Sequence, residues 1–156
     1  MIRAAAVLAA VLFAALPAPA SLGDVALSGQ EQAFLGAINR TRAAHGLGSV
    51  VLDSGLVGAA RAHSNDMVAH AYFEHGAFWR RLESVGATRG TIGEILGWDA
   101  HAGAAVAEIV WMWLRSPEHR AVLLNPVYSE IGVGVADGRF RGYPNTVVVT
   151  ADFWSG

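Results

Sequence analysis

Two histidines and one glutamate in this chain are placed to form a metal or acid/base site. They close three short motifs, Tyr-Phe-Glu-His75, Thr-Ile-Gly-Glu94 and Trp-Leu-Arg-Ser-Pro-Glu-His119. A neutral imidazole can ligate a divalent metal, and a carboxylate can ligate directly or hold a bound water. Two imidazoles and one carboxylate are one group short of a closed tetrahedral set. Such a site would therefore bind a metal with an open position.

Each of these residues also has a structural interpretation. His75 could satisfy the last carbonyl groups of a helix, Glu94 could pair with an arginine, and His119 could be a surface residue of a first helical turn. His63 and His70 recur on the inward stripe of a helix, where hydrogen-bonded histidines of the core or groove edge are ordinary. The chain contains no His-Glu-x-x-His, Gly-x-Ser-x-Gly or phosphate-loop motif.

Helical patterns surround the motifs. The capping box Ser28-Gly-Gln-Glu31 predicts the start of a first helix, and Asp53-Ser54 predicts the cap of a second that runs to about His70. We expect a third helix over 78–85 and a fourth over 101–115. Ser116 should then cap a further turn that begins at Pro117.

The sequence changes period after Pro126. Alternating apolar residues over 131–135 and a β-branched run over 146–153 predict two strands, joined by a turn-rich segment over 137–145. The glycine-rich segment 90–97 predicts a loop with an extended entry at Thr91-Ile92. Helices followed by an antiparallel hairpin indicate an α+β fold.

The N-terminus differs in composition from the rest of the chain. A basic start, an apolar run and the small-residue end Ala18-Pro-Ala20 are typical of a secretory signal peptide over residues 1–20. The apolar run is shorter than the roughly twenty residues that span a bilayer, so we expect no transmembrane anchor in the mature chain. Residues 21–156 then form a single domain, secreted or periplasmic.

Charge and cysteine content exclude some classes of protein. The net charge is −2, and the 11 basic residues, all arginine, are scattered along the chain and form no basic stripe. Nucleic acid is therefore not an expected partner. The chain has no cysteine, so an exported protein of this composition must rely on packing for its stability.

In the order and spacing of its motifs, the chain resembles the CAP superfamily of cysteine-rich secretory, antigen 5 and pathogenesis-related 1 proteins, in its bacterial SCP-like form. The resemblance runs from Phe34 to Trp154. It implies a three-layer α-β-α sandwich with a central antiparallel sheet, and it adds a strand near residues 90–95. The resemblance also implies a cleft with two histidines and two acidic residues.

Matched by position, the cleft contains His75, Glu94 and His119, with Ser116 where the second acidic residue is usual. We expect His63 near its rim. His75 and His119 would be the metal ligands, and a metal such as Zn would be held weakly because Ser116 supplies no negative charge.

The sequence leaves two functions open besides a plain structural or envelope-spacer role. The first is a secreted binding or interaction module for a cell-envelope, lipid or protein ligand. The second is a zinc-assisted, peptidase-like hydrolase that uses His75, His119 and Glu94, with Ser116 as a hydrogen-bonding helper. The first is favoured because no acid is placed in the sequence to orient His119 toward Ser116 as a nucleophile.

Overall fold

The computed structural model describes residues 25–156, so the signal peptide predicted for residues 1–20 lies outside the described residues. Five helices and four strands follow one another along this part of the chain. In chain order they are α1 Gly29–Ala44, β1 Val51–Leu52, α2 Ser54–His70, α3 Phe78–Ser84, β2 Thr91–Asp99, α4 Ala105–Arg115, α5 Pro117–Leu123, β3 Glu130–Phe140 and β4 Tyr143–Ser155. None of these helices is long and apolar enough to span a membrane.

The first two helices begin where their capping residues predict. The Ser28 hydroxyl accepts from the backbone N–H of Glu31, and the Glu31 carboxylate accepts from the backbone N–H of Ser28 at 2.7 Å. The Asp53 carboxylate accepts from the backbone N–H of Leu56 at 2.8 Å. Helix α2 ends at His70, and the left-handed backbone of its C-cap, Ala71, turns the chain toward the motif that contains His75.

The sheet has the strand order β1-β3-β4-β2. The three long strands pair with one another in antiparallel fashion, β2 with β4 and β3 with β4. The two-residue β1 pairs in parallel with β3. The α+β prediction is confirmed, and β1 makes the sheet mixed. The turn between β3 and β4 is tighter than the predicted segment 137–145, because both strands continue to a turn at Arg141 and Gly142, which have positive φ.

Helices cover both faces of this sheet, as expected for three layers. On one face, α1, α4 and α5 enclose the main core, which includes Phe34, Ile109 and Trp113. On the other face, α2 crosses β3 so closely that a Cβ on Gly132 would lie 2.1 Å from the carbonyl carbon of Leu56. Helix α3 lies on the same side as α2 and contacts it and β2.

The loop predicted for residues 90–97 is wrong, since this segment is most of β2, as the family resemblance implied. Its glycines are required by close packing. A Cβ on Gly93 would lie 2.3 Å from the Tyr128 hydroxyl, and one on Gly97 would lie 2.4 Å from Ile109. Glycine therefore indicates close contact with neighbouring elements in β2 rather than a break in the strand.

Three further predictions on α2, α4 and α5 need correction. Helix α4 begins at Ala105, four residues later than predicted. His70 is exposed and pairs with Asp66, so it does not lie on the buried face. The Ser116 side chain makes no capping hydrogen bond to α5, because its hydroxyl contacts a histidine instead.

Candidate functional site

Glu94 is the centre of the described site. It lies on β2 and is buried, with only 6% of its surface exposed. One carboxylate oxygen accepts from Nδ1 of His75 at 2.7 Å, and the other pairs closely with the guanidinium of Arg81. The ion pair with an arginine, one of the two interpretations open from the sequence, is therefore present in the structure.

Arg81 holds both members of the His75–Glu94 pair. It extends from α3, and while Nη2 contacts Glu94, Nη1 donates to the backbone carbonyl of His75 at 3.0 Å. The chain can fold back between these residues because Gly76 adopts φ +56. His75 lies five residues beyond the end of α2, so the interpretation of His75 as a cap for that helix is wrong.

The hydrogen bond to Glu94 determines the tautomer of His75. An ionised carboxylate only accepts, so Nδ1 of His75 must carry the proton. The neutral ring then has its lone pair on Nε2. Because 49% of the His75 side chain is accessible, this nitrogen can meet a ligand or a proton donor.

Asp152 lies directly opposite Glu94 in the pairing of β2 with β4. It is fully buried, and neither carboxyl oxygen has a hydrogen-bond partner within residues 25–156. Burial, followed by the negative charge of Glu94, raises the pKa of Asp152 well above its usual range. Burial and the neighbouring Glu94 carboxylate therefore both disfavour the charged form of Asp152.

His119 and Ser116 form a second polar pair. Nδ1 of His119 lies 2.7 Å from the Ser116 hydroxyl, and both residues are half-buried at the junction of α4 and α5. Burial lowers the pKa of His119, and a positive charge on the nearby His75 would lower it further. The two histidines are therefore close enough to interact electrostatically, and His119 is neutral at pH 7.

His63 lies on α2, behind this site. Its Nε2 is 3.0 Å from the backbone carbonyl of Glu74, so Nε2 donates, and only 4% of the residue is exposed. Burial lowers the pKa of His63, and the guanidinium of Arg81 lowers it further. His63 thus supports the segment that carries His75 through a hydrogen bond to its backbone.

An open cleft of about 550 Å³ begins at Ser116 and His119. Its other polar residues are Asp99 and His101, and the larger part of its wall is apolar or aromatic. Six large side chains form that part: Phe73, Leu96, Trp98, Met112, Trp113 and Tyr143. His63, His75 and Glu94 do not line this cleft, so the structure places the predicted site residues in two adjoining groups.

Sequence reasoning missed the aromatic wall and Arg81. The Trp98 ring lies 5.6 Å from Phe140 and 6.0 Å from Tyr143, centroid to centroid, so strands β2, β3 and β4 contribute to one cluster. No local pattern reveals an aromatic group assembled from three strands. Arg81 had a signal, because a carboxylate expected near the core requires a cationic partner and Arg81 lies between His75 and Glu94 in the sequence.

The donor set does not fit a firmly held metal. Among residues 25–156, no group of three or more His, Asp or Glu side chains is arranged to hold a metal ion. Both oxygens of Glu94 are engaged by His75 and Arg81, and Ser116 is neutral. Only Nε2 of His75 and Nε2 of His119 remain as ligands, one fewer than the three of a catalytic zinc site.

Comparison with known proteins identifies the family. The sequence profile of the CAP domain, described as the cysteine-rich secretory protein family, matches residues 35–153. The chain belongs to this family. This CAP chain is 32% identical over 116 residues to the Bacillus subtilis protein YkwD, covering 71% of the chain and 44% of YkwD. It thus spans less than half the length of that relative.

Solved structures share the CAP fold. One is an extracellular SCP-domain protein of Bacillus anthracis, with a TM-score of 0.68, 26% identity, and coverage of 80% of this chain and 40% of that one. Another is an outer surface protein of Borrelia burgdorferi, with a TM-score of 0.66, 19% identity, and coverage of 82% of this chain and 95% of that one. The Borrelia likeness shows the fold alone.

Proposed function

We propose that this CAP chain is an extracellular binding module whose cleft takes an amphiphilic ligand. The observation that carries the proposal is the cleft itself, an open apolar wall that ends at the neutral Ser116–His119 pair. Binding sites for small molecules are mostly apolar, with a few polar groups that orient the ligand. The apolar part of the ligand would contact Trp98 and Met112, and its polar end would bond to His119.

The extracellular location rests on two kinds of support. The Bacillus anthracis protein is described as an extracellular protein. Residues 1–20 have the pattern of a secretory signal peptide. Mass spectrometry of the protein recovered from the culture medium or periplasm should give a mature N-terminus at or near Ser21. A recovered mass that includes residues 1–20 would contradict export with cleavage.

Ligand binding can be tested with the apolar fluorescent probe 1-anilinonaphthalene-8-sulfonate. Trp98→Ala should weaken its binding by about tenfold, since a buried aromatic anchor contributes more than 1 kcal/mol to an interface. Trp79→Ala is the matched control, because Trp79 is 47% exposed and does not line the cleft. Displacement of the probe by 1-dodecanol tests the amphiphilic class. Equal binding by both tryptophan variants would refute the assignment of this cleft.

The proposal also includes weak metal binding. We propose that His75 and His119 hold a divalent ion such as zinc weakly, with Nε2 of each ring as the ligand. Support comes from the His75–Glu94 pair, because a carboxylate on the other ring nitrogen raises the basicity of an imidazole ligand. Calorimetric zinc titration should show weak binding that is lost in the double variant His75→Ala, His119→Ala. Unchanged binding in that variant would move the ligands elsewhere.

Hydrolysis is the alternative that the arrangement disfavours. A general base must be within reach of the proton it takes, and the Glu94 side chain has no exposed surface and is paired with His75 and Arg81. We therefore expect no appreciable turnover of generic peptide or ester substrates, with or without added zinc. Glu94→Gln is the comparison. Zinc-dependent turnover that disappears in Glu94→Gln would replace the binding module with an enzyme.

A further inference from the structure

Arg81 lies beside the Glu94 carboxylate, a group that attracts cations. Its guanidinium contacts one oxygen of Glu94 and the backbone carbonyl of His75, and its side chain is 25% exposed. Glu94 has no exposed side-chain surface. The Glu94 carboxylate is therefore already paired with a fixed positive charge, at low solvent exposure where screening is weak.

The two neighbouring positions do not supply a free carboxylate. Asp152 is buried opposite Glu94 with no hydrogen-bond partner among residues 25–156, in surroundings that disfavour its charged form, and Ser116 is a hydroxyl. The charges of the Arg81 and Glu94 side chains thus sum to zero. A divalent ion on His75 would place two further positive charges near a guanidinium, with no free carboxylate to balance them.

Arg81 also weakens His75 as a ligand. The carboxylate that bonds to the second nitrogen of a ligating histidine makes the ring more basic, and this effect depends on the negative charge of the carboxylate. Here the guanidinium shares that charge, so Glu94 polarises His75 less than an unpaired carboxylate would. Both effects act in the same direction, against metal.

We infer that Arg81 is a built-in cation that takes the place of a metal in this site. Its guanidinium pairs with the Glu94 carboxylate and holds the backbone of His75 without any bound ion, and it keeps divalent ions weakly bound beside these residues. The inference rests on the proposed function only in taking His75 and His119 as the residual ligands. It predicts that a neutral side chain at position 81 increases the affinity for metal.

Zinc titration of position-81 variants by calorimetry tests this inference. Arg81→Met and Arg81→Gln, which remove the charge, should bind zinc about tenfold more tightly or better than the unaltered protein. Arg81→Lys keeps the charge and should show no gain. Arg80→Met is the matched control, because Arg80 is the adjacent, exposed arginine of α3. Adding His75→Ala to Arg81→Met should abolish the gain.

Two results would overturn the role of Arg81. One is wild-type zinc affinity in folded Arg81→Met and Arg81→Gln, and the other is an equal gain in Arg81→Lys. If the neutral variants are unfolded without metal, excess zinc should restore their native circular dichroism, because a ligand that binds only the folded state stabilises it. Failure of zinc to increase their folded fraction also overturns the inference. Probe binding to the cleft, measured separately, reports on the proposed function and is independent of these outcomes.

Discussion

Two physical effects act on Glu94 and the ionisable side chains around it. Burial favours their neutral forms, and the ion pair between Glu94 and Arg81 favours the charged form. His63 and Asp152 are buried without an oppositely charged group of residues 25–156 in a salt bridge, and burial moves the pKa of each toward its neutral form, downward for the imidazole and upward for the carboxyl. Glu94, in contrast, forms a salt bridge with Arg81. The site therefore combines one buried ion pair, Arg81–Glu94, with side chains whose burial favours their neutral forms.

The lowered pKa of His63 predicts a pH dependence of stability. The unfolded chain takes up a proton on His63 below a pKa of about 6.5, while the folded protein takes it up only at lower pH. The free energy of unfolding should therefore be largest above pH 6.5 and decrease as the pH falls toward 5. Urea unfolding at several pH values measures this slope.

His63→Gln should flatten that slope, since the amide can still donate to the carbonyl of Glu74 but does not titrate. His45→Gln, at an exposed position, is the control and should leave the slope in place. An unchanged slope in His63→Gln would show that other groups cause the acid sensitivity.

Residue types could be predicted from the sequence, but their pairings could not. His75, Glu94 and His119 stand out because their chemistry and motif order are local properties of the sequence. The partner of Ser116 is not, since a serine before Pro117 is equally suited to cap a helix or to bond a side chain three residues later. Which of the two forms depends on the position of His119 in the folded protein.

At the scale of elements, glycine determines how closely α2 approaches the sheet. A Cβ on Gly132 would lie 2.1 Å from the carbonyl carbon of Leu56, and one on Gly134 would lie 2.1 Å from the backbone nitrogen of Arg61. These contacts are with backbone and cannot be relieved by rotating a side chain. The sequence predicted both elements, but a glycine alternating with valine does not reveal which helix crosses it.

Gly132→Ala should destabilise the protein by about 1–3 kcal/mol, since α2 must move away from β3 to accept a methyl group. Gly58→Ala is the matched control. It lies in α2, is exposed and has nothing within 4 Å of its Cβ position, so it should stabilise the protein by about 0.5–1 kcal/mol. Chemical denaturation of both variants measures the difference, and destabilisation by Gly58→Ala would contradict this account of the contact.

At the scale of the whole molecule, Arg42 connects the first helix to the segment between α5 and β3. It is 1% exposed and forms no salt bridge with a carboxylate of residues 25–156. Instead it donates to four backbone carbonyls, those of Gly48, Leu123, Asn125 and Tyr128. In the sequence it is one of several scattered arginines, because its partners lie up to 86 positions away and are backbone groups that any residue carries.

Arg42→Met should destabilise the protein on the order of 3 kcal/mol, because the carbonyls that Arg42 binds would lose their donor inside the fold. Arg40→Met, two positions earlier on α1 and exposed, should change stability by no more than about 0.5 kcal/mol. Hydrogen exchange should show where the loss acts. Amides of α5 and the start of β3 should exchange faster in Arg42→Met, since Arg42 links these segments to α1. A loss of protection spread evenly over the sheet would instead indicate that Arg42 stabilises the fold without joining these two parts.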